Sequence, residues 1–165
     1  MAIVIEGKTL CGICEKTIEA GQRIIAFPAF APNELDPLRV FNDAAFHEEC
    51  FYRHPLAEKA LARKEKLFER TGPGHRFCLI CGRDITNPDE YMIFGHLTDD
   101  ETHALYQYNY AQFHRSCLSH WSELPYIYAQ FEKLKESGTW RGKALEWLLS
   151  ELKELLINDT SGPSV

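Results

Sequence analysis

Short runs of β-branched and aromatic residues, broken by turns, give way twice along the chain to longer stretches with apolar positions at helical spacing. Ile3, Val4 and Ile5, closed by the turn Glu6-Gly7-Lys8, predict a short strand, and residues 23–27 a second one after Gly21. Residues 28–38 hold Pro28, Pro32 and Pro37 with Asn33 and Asp36, a loop, and residues 39–41 read as a returning strand. A helix is predicted from Ala44; Pro55 interrupts it, and residues 56–70, rich in Ala, Leu, Lys and Glu, resume it. After the linker Thr71-Gly72-Pro73-Gly74 the plan restarts. A strand at 91–94 leads to an acidic loop at Asp99-Asp100-Glu101, a further strand around Leu105, Tyr106, Tyr108 and Tyr110, and a helix that breaks near Pro125.

Residues 126–137 and 140–157 predict two more helices, parted by Gly138 and without a counterpart in the first half. The last one sets Trp140, Ala144, Leu145, Leu148, Leu149, Leu152, Leu155 and Leu156 on one broad apolar face. Such a face reads first as core, and in the alternative as a docking surface for a partner or a second copy of the chain. The chain thus divides into a first module at 1–72, a second at 73–125, a helical extension at 126–157 and a loose tail at 158–165.

The two modules repeat each other. Cys11, Cys14, His47 and Cys50 recur 67 residues on as Cys78, Cys81, His114 and Cys117, and in each copy 32 residues separate CxxC from HxxC. The copies also agree at Ile13/Ile80, Ile18/Ile85, Phe27/Phe94, Asn42/Asn109, Ala44/Ala111 and Phe46/Phe113, so the period is an internal duplication. Two ligands three positions apart grip a tetrahedral zinc ion from a tight turn or from the first turn of a helix, and two such pairs close its coordination sphere. All six cysteines are consumed, three per site. A redox dithiol or a disulfide would not need an HxxC at fixed distance, twice. Two structural Zn²⁺ ions are therefore expected, each supplying on the order of 10 kcal/mol of folding free energy to a small module. The fold class expected is α+β: two zinc-stapled modules of β-hairpins plus helix, and a helical extension.

Composition is that of a soluble globular protein, 45% hydrophobic. The start of the chain lacks the pattern of a signal peptide and nowhere do eighteen apolar residues run together, which points to a cytoplasmic protein with no membrane partner, where thiolates stay reduced. Net charge is −6 and unevenly spread. Residues 1–50 carry 4 basic and 8 acidic side chains, residues 51–83 carry 8 and 3, and residues 84–165 carry 6 and 13. Only the middle could attract phosphate, through the stripe Lys59, Arg63, Lys66 and Arg70 on the 56–70 helix; the plainer reading of that stripe is a solvated face.

A hairpin knuckle, a second hairpin and a helix with the last two ligands make the treble-clef plan. Within it, CxxCxxxI at Cys11-Cys14-Ile18 and Cys78-Cys81-Ile85, the pair Arg23-Ile24 in the first copy, Phe46 and Phe113 before the histidines, and Phe51 and Leu118 after the last cysteines resemble the zinc finger of poly(ADP-ribose) polymerases and one type of DNA ligase. Similarity to LIM domains is weaker, because their spacing is shorter and a further four-ligand half follows at once. The resemblance covers the modules up to their ligand helices, and it implies recognition of DNA breaks by basic side chains and apolar loop residues. The second copy departs from this: residues 82–113 hold Arg83 as their one base against six acids.

His47-Glu48-Glu49 followed by Cys78 and Cys81 mimics the HxE…CxxC order of zinc deaminases. Phe77 replaces the expected proline, Ser116 replaces the glutamate in the second copy, and Cys11, Cys14 and Cys50 would be orphaned. His54, His75, His96 and His103 show no metal spacing, and His120, three residues after Cys117, has Arg53 as its equivalent. The expected protein is not an enzyme. It is a zinc-binding adaptor with another protein as partner, engaged through Tyr106, Tyr108, Tyr110, Trp140 and Trp147; the alternative is nucleic-acid binding through the first module and its basic helix, which the net charge disfavours.

Overall fold

Strand pairing begins where the apolar run after Gly21 meets the residues before the first ligand helix. In this computed structural model, which describes residues 2–159, β1 (Ile24–Ala26) pairs antiparallel with β2 (Ala45–His47), Ile25 facing Phe46. The second copy builds β3 (Tyr91–Ile93) against β4 (Gln112–His114) in the same register, Met92 facing Phe113. Each returning strand runs straight into a five-residue helix, α1 (Glu48–Tyr52) or α3 (Arg115–Ser119). Longer helices follow: α2 (Ala57–Thr71) in the first copy, α4 (Leu124–Glu136) and α5 (Lys143–Asp159) in the second. The result is a mixture of helix and small antiparallel hairpins, the α+β class expected.

Several expected elements differ. Residues 3–5 form no strand; the Ile5 carbonyl instead accepts the amides of Lys8 and Thr9, and the extended pairing nearby is a single bridge between Leu10 and Thr17. The strand expected at 39–41 is a 3-10 helix, Pro37–Phe41, started by proline and capped by Asp36, whose carboxylate accepts the Leu38 amide at 2.8 Å; Leu38 and Phe41 point inward. The strand expected around 105–110 is likewise a 3-10 turn, Tyr106–Tyr108. The helix expected from Ala44 begins only at Glu48, because residues 45–47 are claimed by the hairpin.

α4 corrects the expectation that nothing after residue 125 has a counterpart. It begins 67 residues after α2, and Pro125 lies in its first turn, where a missing amide costs nothing. Only α5 is new. Its effect is visible at matched positions. The inner face of α2 carries Ala57, Ala60 and Lys64, whose ammonium sits 4.9 Å from the centre of the Phe27 ring. The same places in α4 hold Leu124, Ile127 and Phe131, with Phe131 edge-on to Phe94 at 5.4 Å, because α5 adds Leu145, Leu148, Leu149 and Leu152 to that core. The apolar face of the last helix is therefore core, not a docking surface. The tail expected at 158–165 lies, from residue 160, outside the described residues.

The chain separates into two compact units: residues up to Ala31 with Asp36–Phe68, and Pro32–Leu35 with everything from Glu69. Within the second, Asn33 donates through Nδ2 to the Thr139 carbonyl at 3.0 Å and accepts the Arg141 amide at 3.1 Å.

One asparagine per copy ties loop to hairpin. Asn42 Oδ1 accepts the amides of Phe30 (3.1 Å) and Ala31 (3.0 Å), and its Nδ2 donates to the Ala31 carbonyl (2.7 Å). Asn109 repeats this with Leu97 (2.6 Å), Thr98 (3.2 Å) and the Thr98 carbonyl (2.9 Å). Asn42→Ala and Asn109→Ala should each destabilise by about 2–3 kcal/mol, three hydrogen bonds at about 1 kcal/mol apiece, in urea unfolding followed by circular dichroism. An unchanged midpoint would mean that the loops hold themselves.

Candidate metal centres

Each ligand cluster is built from a turn and a helix start, brought together by backbone hydrogen bonds. In the first copy the Cys11 amide donates to the Lys16 carbonyl and the Glu15 amide to the Cys11 carbonyl, both at 2.9 Å, closing a knuckle around Cys11-Gly12-Ile13-Cys14. Closure requires a left-handed residue just after the second cysteine, Glu15 at φ 58° and, 67 positions on, Gly82 at φ 67°. The Gly12 amide then donates to the Ala45 carbonyl at 3.0 Å, and in the second copy Leu79 to Gln112 at 2.8 Å, which docks the knuckle on the strand that carries the histidine. One turn of helix brings up the last cysteine.

These elements gather Cys11, Cys14, His47 and Cys50 so that their ligand atoms all lie within 4.8 Å of one another, and gather Cys78, Cys81, His114 and Cys117 likewise. His47 Nδ1 stands 3.4 Å from Cys14 Sγ and 3.9 Å from Cys50 Sγ; His114 Nδ1 stands 3.5 Å from Cys81 Sγ and 3.9 Å from Cys117 Sγ. A tetrahedral ion with bonds of about 2.0–2.3 Å puts its ligand atoms roughly 3.5–3.8 Å apart. Both clusters fit that geometry, and three thiols with one imidazole suit a soft or borderline ion rather than a hard one. Two metal ions can be held, one per copy.

Neighbouring groups orient the imidazoles. His47 Nε2 lies 3.0 Å from Gln22 Oε1, and His114 Nε2 lies 3.2 Å from the Asp84 carbonyl. Both contacts fix the tautomer that leaves Nδ1 as the ligand atom. Burial pushes the Cys11 thiol up, but hydrogen bonds from the backbone of Cys14, Ile13 and His47 outweigh it and bring the group down to about 6. Backbone and side-chain hydrogen bonds from Arg83 bring Cys81 down to about 6. Burial, then the neighbouring thiolates, push Cys50 up to about 11 and Cys117 up to about 12. Without a cation each site therefore keeps part of its sulfur protonated, and a bound dication reverses that.

The surfaces expected from the sequence are rearranged. Lys59, Lys66 and Arg70 are exposed on α2, but Arg63 is 5% exposed and ion-paired with Asp36, so the basic stripe is interrupted and Arg63 is withdrawn as a phosphate contact. The pairing explains the burial: Asp36 already caps the 3-10 helix, and its second oxygen needs a partner. Tyr108 and Tyr110 are buried, Tyr108 donating to Glu123 Oε2 at 2.5 Å and Tyr110 lying 3.3 Å from His96 Nδ1; Tyr106 is half-buried and donates to Glu101 at 3.1 Å. Trp140 is buried edge-on to Phe131, its indole N–H without a hydrogen-bond partner among the described residues. Of the five aromatics expected at a partner surface, Trp147 is solvent-exposed. Sequence reasoning overlooked Phe77, Leu79 and Ile80, which stand exposed around the second knuckle. Their signal was three apolar residues in a turn that is usually polar.

Comparison with models of known families, with curated proteins and with solved structures gives no match.

Elemental analysis of purified protein should give two metal ions per chain, and Cys14→Ser and Cys81→Ser should each remove one; a native preparation without metal would sink the assignment. The pH dependence has a definite sign. Protons compete with the metal for the same sulfurs, and Cys50 and Cys117 already hold protons in its absence, so the stability the metal confers is present at neutral pH and falls as the solution is acidified. Metal release into a chromogenic chelator along an acid titration measures it, and release already complete at pH 7 would contradict it.

Proposed function

We propose that the chain is a zinc-binding protein of the reduced cytoplasm whose two structural Cys3His sites, of treble-clef type, hold surfaces for another protein: an interaction or regulatory adaptor. Zinc is the ion that best suits a closed tetrahedral set of three thiolates and an imidazole. Four protein ligands leave no open position at which water could be activated, which favours a structural role over a catalytic one.

The observation that carries the adaptor reading is the exposure of Phe77 (50%), Leu79 (52%) and Ile80 (36%) in one four-residue stretch, on a module whose core is closed without them. Apolar side chains kept in water at a rigid turn serve contact with something else. The nucleic-acid alternative retains Lys59, Lys66 and Arg70, but loses Arg63 and stands against a net charge of −6.

Affinity capture from nuclease-treated lysate should return a protein that is released on chelation of the zinc. Fluorescence anisotropy with labelled nicked duplex, single-stranded DNA and RNA should show no binding at physiological salt. Tight binding that weakens steeply with salt and is abolished by charge reversal at Lys59, Lys66 and Arg70 would transfer the function to nucleic acid.

A further inference from the structure

The two metal centres have the same ligands, but different groups hold those ligands still. An ion leaves a closed four-ligand site only when one ligand swings away, so its release depends on how firmly the ligand-bearing elements are fastened to the rest of the module. Each ligand helix buries one apolar residue, Phe51 in α1 and Leu118 in α3. Beyond that shared anchor the copies differ.

α3 is fastened twice more. Glu90, the residue just before β3, turns its carboxylate onto the start of α3, where Oε2 accepts both the amide (3.1 Å) and the hydroxyl (2.8 Å) of Ser116, the neighbour of Cys117. An amide at a helix start has no partner within the helix, so the carboxylate closes that end and pins it to the hairpin. Arg115, the neighbour of His114, is ion-paired with Glu151 of α5, the helix that completes the core of this unit. The His114 imidazole rests on the main-chain carbonyl of Asp84, a residue bridged to Phe77 within the knuckle.

Looser contacts take these places in the first copy. Arg23 and Glu49 stand where the second copy has Glu90 and Ser116, and Glu48 stands where it has Arg115. Arg23 pairs with Glu48 at 2.8 Å, but its side chain is 83% exposed; Glu49 pairs with Arg53 at 3.6 Å, and both are about four-fifths exposed. Ion pairs so open to water contribute little. Glu48 and Glu49 suit the positive end of α1, yet they fasten it to no buried layer. His47 Nε2 rests on the oxygen of an exposed side chain, Gln22 Oε1, which the Glu19 amide holds at 2.7 Å. Water can displace a side chain of this kind, whereas the carbonyl under His114 is part of the main chain.

We propose that the first centre is the exchangeable one, passing its ion to competing ligands while the second keeps its own, with Glu90 and Arg115 as the positioning residues that make the difference; this rests on the reading of both clusters as zinc sites and is independent of the partner. A chain short of zinc then loses the order of the first module alone, which makes that module the metal-responsive part of the protein.

The test mixes the zinc-loaded full chain with excess chromogenic chelator at neutral pH and follows release with time. Two phases of one zinc each are expected, roughly tenfold or more apart in rate. Cys14→Ser should keep only the slow phase and Cys81→Ser only the fast one. Glu90→Ala should speed the slow phase roughly tenfold and leave the fast phase unchanged, while Glu90→Gln, which keeps an acceptor for Ser116, should release like the parent. Gln22→Ala should speed the fast phase alone. Release of both ions in one phase, or slow release from Cys81→Ser, overturns the inference and leaves the zinc sites standing. An unchanged slow phase in Glu90→Ala overturns the role given to Glu90. A chain that purifies without zinc overturns the zinc reading itself.

Discussion

Three thiols and an imidazole brought within one coordination sphere are the constraint on which each module depends. Strands of three residues and helices of five have no stability of their own, since nucleation and loop closure cost more than so few hydrogen bonds return. Crowding the sulfurs together makes matters worse for the bare chain, because burial and mutual repulsion hold Cys50 and Cys117 protonated. A dication turns that repulsion into the strongest attraction in the module. Knuckle, hairpin and helix start are then fixed relative to one another at a single point, and the rest of each module needs only to close around it.

The two copies close around it differently. The first has no helix beyond α2, so the inner face of α2 meets little apolar surface and is filled by alanines, the stem of Lys64 and the buried Arg63–Asp36 pair. A charge can stay there only because its partner is already in place as a helix cap. The second gains α5 and with it a conventional core, Leu124, Ile127, Phe131 and Trp140 against the leucines of the last helix. Duplication thus kept the metal scaffold, down to the asparagine brackets at Asn42 and Asn109, while the outer layer diverged. The exposed residues at Phe77 and Leu79 are part of that divergence, and the interaction role proposed for them uses surface the scaffold does not require.

Much of this was legible from residues alone. Metal ligation requires particular atoms at particular spacings, so the eight ligands and their pairing into two sites follow from the repeat of CxxC and HxxC without knowledge of the fold. The long helices also follow from local pattern, and α2 and α5 form close to where their apolar periodicity puts them. What the linear pattern could not decide is which short apolar run pairs with which. Residues 39–41 and 45–47 are equally strand-like by composition; only the docking of Gly12 on the Ala45 carbonyl, and the proline and Asp36 cap that turn 37–41 into a 3-10 helix, select the second.

Burial was decided in three dimensions for the same reason. Tyr106, Tyr108 and Tyr110 alternate like an exposed strand, yet the 3-10 turn rotates Tyr108 inward and a left-handed backbone at Tyr110, φ 61°, buries the third. Arg63 sits in a periodic basic stripe, yet a carboxylate 27 residues earlier draws it inside. Coordination chemistry, duplication and the long helices can all be read from the residues, because each rests on local spacing. Which tyrosines, tryptophans and arginines meet solvent is set by packing, because burial depends on contacts between segments that no local period encodes.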